Sequence, residues 1–195
     1  VKRVLLLLCK GAEVYEAAAF YDVLGWSGDC GGEPVEVVTV GRTPEVTCTF
    51  GLRIVPDRLL ADVDPSRFDA LAVPGGFEAF GYYEDAYSDQ VGELIRLFEG
   101  AGRTVASICV GALPLAKSGI LAGRTATTYH RMDGLRRRQL ADFDVEVLDE
   151  PVVRDGPVIT STSPATAMGV AFALLAELTG AENADRVRRE MGFGE

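Results

Sequence analysis

The chain has 195 residues, 48% of them hydrophobic and 25% charged, with a formal net charge of −10. That length predicts one domain able to bury a full hydrophobic core, and the acidic balance argues against nucleic acid, whose phosphates need a basic surface. No apolar run is long enough to span a bilayer. Lys2-Arg3 before an apolar run resembles a secretion signal, but Lys10-Gly11-Ala12-Glu13 ends that run with no small-residue cleavage pattern, so a buried first strand is expected instead.

In chain order, Val4 to Cys9 is a continuous apolar run, as for a strand covered on both faces. Gly11 breaks it, and Glu13 to Leu24, rich in alanine and free of proline and glycine, predicts a helix. A loose loop, Gly25 to Gly32, is expected before a second strand at Val35 to Val40. Thr47 to Val55 reads as a short antiparallel excursion around Gly51. Phe68 to Val73 is a third apolar run, ended by Pro74-Gly75-Gly76.

In the helix expected at Ser88 to Gly100, Val91, Leu94, Ile95 and Phe98 share one face. Thr104 to Ile108 is a fourth strand, followed by Cys109 and a short helix from Val110 to Ser118. A fifth strand is expected at Arg124 to Thr128, then a charged helix from Asp133 to Leu140. Val145 to Leu148 and Val152 to Thr160 are late strands, the second folded at Asp155-Gly156. Ser163-Pro164 starts a helix with a capping hydroxyl and a first-turn proline, and Ala184 to Met191 is a terminal helix.

Strands alternating with helices predict an α/β domain with a mainly parallel sheet and helices on both faces. Such sheets bind ligands beyond the carboxyl ends of their strands. Five segments fall there: Gly11 to Glu16, Pro74 to Phe77, Ser107 to Gly111, Thr127 to His130, and Ser161 to Pro164. The four cysteines, Cys9, Cys30, Cys48 and Cys109, show no paired spacing, so reduced thiols in a cytoplasmic protein are expected. Without a C-x-x-C pair and with His130 the single histidine, no metal site is expected.

Cys109 stands at a strand–turn–helix corner with Gly111 two residues on, the logic of a nucleophile elbow. A helix N-terminus there would favour thiolate. The plain alternative, a small buried hydrophobe, suits Cys9 and Cys48 better. Glu16, in an apolar stretch, would be desolvated and keep its proton, and beside a thiol the two would titrate as a pair. The alternative is an exposed first-turn carboxylate, and spacing alone leaves Glu13 and Glu16 as equal candidates. His130, at a strand end, is as readily a surface residue as a proton-transfer group. Gly75-Gly76 could turn a backbone N–H toward the thiol, forming an oxyanion hole with that of Val110.

Lys10-Gly11-Ala12-Glu13-Val14-Tyr15-Glu16, Val73-Pro74-Gly75-Gly76, Ser107-Ile108-Cys109-Val110-Gly111, Thr127-Thr128-Tyr129-His130 and Thr160-Ser161 with Pro164-Ala165-Thr166-Ala167 resemble the ThiJ/PfpI superfamily, in its Parkinson disease protein seven branch. The resemblance covers nearly the whole chain and implies a flavodoxin-like three-layer sandwich in one domain, acting as a homodimer without a cofactor. It places the cysteine-contacting glutamate on Glu16, the reactive cysteine on Cys109, and the oxyanion-hole amides on Gly76 and Val110. Gly75 and Phe77 would meet substrate. The family histidine falls on His130 when Tyr129 is taken as an inserted residue.

Val110 stands where the peptidase-like branch has a histidine, so peptidase activity is disfavoured. His130-Arg131-Met132 lacks the His-x-Glu of the glutamine amidotransferases. The resemblance implies an enzyme on small reactive carbonyls, such as methylglyoxal and its adducts on proteins or nucleotides, of glyoxalase III or deglycase type. Its alternatives are an oxidation-sensing stress protein using the same cysteine, and a hydratase or lyase on another small electrophile such as an isonitrile.

Overall fold

A computed structural model describes residues 1–30 and 32–194. The first half of the chain contributes β1 (Lys2–Leu8), α1 (Val14–Asp29), β2 (Val35–Gly41), the hairpin β3 (Val46–Thr47) and β4 (Arg53–Ile54), β5 (Arg58–Leu59) and β6 (Ala70–Val73). There follow α2 (Tyr82–Ala86), α3 (Asp89–Gly100), β7 (Thr104–Ser107), α4 (Ala112–Lys117) and β8 (Thr125–Ala126). Last come α5 (Leu135–Ala141), β9 (Glu146–Val147), β10 (Val152–Asp155), β11 (Val158–Ser161), α6 (Ala167–Thr179) and α7 (Ala181–Glu190).

The central sheet has the order β10-β11-β7-β6-β1-β2-β5, parallel throughout except for β10. Helices α1, α6 and α7 pack together on one side, and α3, α4 and α5 on the other. Because β1 lies between β6 and β2 with helices above and below, Val4 to Leu8 are all buried, which is why that run does not alternate. The order reverses at β1 and β6, and this flavodoxin-like sandwich gathers the carboxyl ends of β1, β6 and β7 at one edge.

Two expectations need correction. The segment expected as a loop from Gly25 is helical as far as Asp29, and Gly31 lies outside the described residues. Packing overrides the poor helix propensity of Gly25 and Gly28: Ser27 is buried, donates to the Glu33 carbonyl, and accepts from Asn183 Nδ2 of α7 at 2.8 Å. The strand expected at Arg124 to Thr128 shrinks to β8 and pairs in parallel with β9, outside the central sheet. Asp155 holds it there, accepting from the Thr125 N–H at 2.9 Å.

Candidate active site

Cys109 sits where the chain leaves β7. Ile108 is still extended and donates its N–H to the Val73 carbonyl at 3.2 Å, whereas Cys109 turns into the left-handed region at φ +55°. That conformation costs a non-glycine residue about 1–2 kcal/mol, so the fold has to hold it. Gly111 N–H closes the turn on the Ile108 carbonyl at 2.8 Å, and Thr128 Oγ1 donates to the Cys109 carbonyl at 2.9 Å.

Glu16 reaches this corner from the first turn of α1. It is 0% exposed, and its Oε2 accepts the Gly75 N–H at 2.6 Å. Its Oε1 is buried without a hydrogen-bond partner, and the Cys109 thiol is the buried titratable group that acts on the carboxyl. Tertiary structure thus separates the two candidate carboxylates. Glu13 is the residue before the helix, half-buried, with its N–H given to the Gly75 carbonyl at 2.8 Å.

Burial pushes the Glu16 carboxyl up to about 8. The Gly75 N–H opposes that rise, the nearby Glu13 charge adds to it, and the Cys109 thiol offsets part of it. The Cys109 thiol is also pushed well above its ordinary value, by burial first and by the Glu16 charge second, while the Val110 N–H pulls it down. The helix-terminus effect expected from sequence is outweighed, since α4 has 6 residues and begins only after the turn, while Cys109 is 8% exposed. Two buried acids side by side resist a second negative charge, so the pair ionises as a unit.

Gly75 is where the two groups meet. A Cβ there would lie 2.9 Å from the Ile108 carbonyl oxygen, 3.0 Å from Glu16 Oε2 and 3.0 Å from the Val110 nitrogen, so only glycine lets these backbones approach. Its N–H is already taken by Glu16. Gly76 faces Ala12 across an antiparallel bridge whose bonds run from Glu13 N–H to Gly75 and from Phe77 N–H to Gly11, so its amide takes no part in that bridge. The Val110 N–H acts on the Cys109 thiol, favouring its charged form. Phe77 follows on the surface, 44% exposed.

The Thr127–His130 segment does come to the site, but what it ties to Cys109 is Thr128. His130 makes no hydrogen bond to the thiol among the described residues. Its Nδ1 is buried and unpartnered, and its ring lies 6.4 Å from that of Tyr129, centroid to centroid. The acidic side chains acting on Cys109 are Glu16 and Glu13.

Sequence reasoning missed Tyr82, on the unforeseen helix α2. Its buried hydroxyl donates to the Pro74 carbonyl at 2.7 Å, and its ring fills the space beside Gly76, 2.3 Å from where a Cβ would be. It buttresses the turn that carries both glycines. A helix of 5 residues has no periodicity to betray it.

Known proteins share this architecture. The model of the DJ-1/PfpI family matches residues 2–177. Protein dj-1beta of Drosophila melanogaster is 35% identical over 96% of this chain and 95% of its own. Its crystal structure superposes with a TM-score of 0.87, covering 100% of this chain and 99% of the other. The glutathione-independent glyoxalase DJR-1.2 of Caenorhabditis elegans is 31% identical over 96% of this chain and 94% of its own. With a family match across most of its length and full-length relatives above 30% identity, the chain belongs to the DJ-1/PfpI family.

Proposed function

We propose that the chain is a cysteine-dependent enzyme of glyoxalase type acting on small reactive carbonyls, with Cys109 as nucleophile. The observation that carries this reading is the fully buried Glu16 carboxyl, fixed by the Gly75 N–H, with its second oxygen unpartnered and the Cys109 thiol acting on it. A carboxyl raised to about 8 is a far stronger base than an exposed one. The relative named a glutathione-independent glyoxalase lends support, because a protein thiol can take the place of glutathione.

For methylglyoxal, the sulfur bonds to the aldehyde carbon while the thiol proton passes to Glu16 and on to the aldehyde oxygen, giving a hemithioacetal. Glu16 is then left as a carboxylate beside a neutral sulfur. Glu16 takes the hydrogen from the former aldehyde carbon, and His130 protonates the neighbouring ketone oxygen, giving an enediol. Glu16 returns its proton to the ketone carbon while the hydroxyl on the former aldehyde carbon gives its proton back to His130, leaving the lactoyl thioester, which water hydrolyses to lactate and free thiol. One water is consumed and no external redox partner is needed. The Gly76 and Val110 amides would hold the oxygen that becomes negative. Lactate formation from methylglyoxal by wild type and Cys109→Ser tests this: the variant should lose all measurable turnover, and equal rates would remove Cys109 from the mechanism.

One observation favours a second reading. A glutamic acid still protonated at neutral pH can donate to an oxidised sulfur. Two equivalents of peroxide would convert the Cys109 thiol to the sulfinic acid with release of two waters, and the Glu16 carboxyl would bond its oxygen.

A further inference from the structure

Three phenylalanine rings stand exposed beside the site. Phe50, between β3 and β4, is 77% exposed, Phe77 44% and Phe80 36%. The centroids lie 5.9 Å apart for Phe50 and Phe77, 5.5 Å for Phe50 and Phe80, and 6.1 Å for Phe77 and Phe80, all tilted or edge-to-face. They come from two segments, Phe50 from one and Phe77 and Phe80 from the other, and each is moored to the turn that leads into Glu16. Phe77 N–H donates to the Gly11 carbonyl at 3.0 Å, and the Phe80 carbonyl oxygen lies 2.8 Å from where a Gly11 Cβ would be. Thr49 N–H donates to the Ala12 carbonyl at 3.0 Å and carries Phe50 with it, in the left-handed region at φ +57°.

Keeping three rings in water is unfavourable, and Phe50 adds backbone strain. Phe77 directly follows Gly76, the residue before which approaches both Glu16 and the Val110 amide. Rings so placed can receive the substituent of a substrate whose aldehyde carbon sits at Cys109. Edge-to-face packing leaves ring faces free for a further aromatic group.

We infer that Phe50, Phe77 and Phe80 form an apolar subsite selecting α-ketoaldehydes with an aromatic or bulky apolar substituent over methylglyoxal. This rests on the carbonyl-enzyme reading for its chemistry, though the subsite itself can be probed without turnover.

The test compares wild type, Phe50→Ser and Phe80→Ser, all in a Cys30→Ser background, on phenylglyoxal and methylglyoxal. Each substitution should lower kcat/KM for phenylglyoxal about threefold to tenfold and that for methylglyoxal less than about twofold. A second arm measures alkylation of Cys109 by N-phenylmaleimide and N-methylmaleimide, with the rate ratio divided by that of free glutathione. Wild type should favour the phenyl reagent, and both variants should lose the preference. If neither aldehyde turns over but the alkylation preference is present and lost as stated, the subsite stands and the carbonyl-enzyme reading falls. An equal preference in all three proteins overturns the subsite. So does a sedimentation change in the variants with selectivity intact, which would make the rings a contact between two copies of the chain.

Discussion

The burial of Glu16 has a consequence for stability that can be measured apart from catalysis. Its carboxyl rises from 4.5 to about 8 on folding, mainly through burial. The folded state therefore keeps this proton at pH values where the unfolded chain has released it. Below pH 4.5 the two states agree. From there to about pH 8 stability should fall with rising pH at about 1.4 kcal/mol per unit, and above pH 8 the loss is complete. The full loss is about 5 kcal/mol. Glu16→Gln cannot ionise, yet keeps an oxygen for the Gly75 N–H. Placing it in a Cys109→Ser background removes the coupled thiol. Urea unfolding at pH 5 and pH 8.5 of Cys109→Ser, with and without Glu16→Gln, isolates this group because every other titrating side chain is shared. The glutamine protein should gain at least about 2 kcal/mol relative to its parent between the two pH values. A difference constant within about 0.5 kcal/mol would refute the buried, proton-holding Glu16.

Gly75→Ala places a methyl group at 2.9–3.0 Å from Ile108, Glu16 and Val110, so the two groups must part; turnover should fall more than about tenfold and stability by about 1–3 kcal/mol, read by kinetics and thermal unfolding. Tyr82→Phe leaves the buried Pro74 carbonyl without its donor at no cost in ring packing, and urea unfolding should show about 1–2 kcal/mol of destabilisation. After mild peroxide, peptide mapping should show two oxygens on Cys109, and Cys9 and Cys48 untouched. Cys9 and Cys48 are 2% and 0% exposed against 8% for Cys109, so peroxide reaches Cys109 first. Modification of Cys9 or Cys48 ahead of Cys109 would contradict that ordering.

The sequence by itself determined the alternation of strands and helices, the continuous burial of Val4 to Leu8, the hairpin at Asp155-Gly156 and the corner at Cys109. Each is a local property: a run of apolar residues, a turn pair, a glycine two places past a thiol. What the sequence could not decide was everything set by approach in space. Glu13 and Glu16 are equivalent in spacing, and only the packing of α1 beside the Gly75 turn buries one and leaves the other at the helix entrance. The helix-terminus argument predicted an acidic thiol, but burial, a tertiary quantity, reversed its direction. The length of α1 past Gly25 depended on Asn183, 156 residues beyond Ser27 in the chain. Nothing in the sequence joins Phe50 to Phe77 and Phe80, which meet because the Gly11–Val14 turn draws their segments together. Local chemistry fixes what each segment prefers, whereas a site needs groups far apart in sequence to share one dry volume, and that volume exists only once the chain has folded.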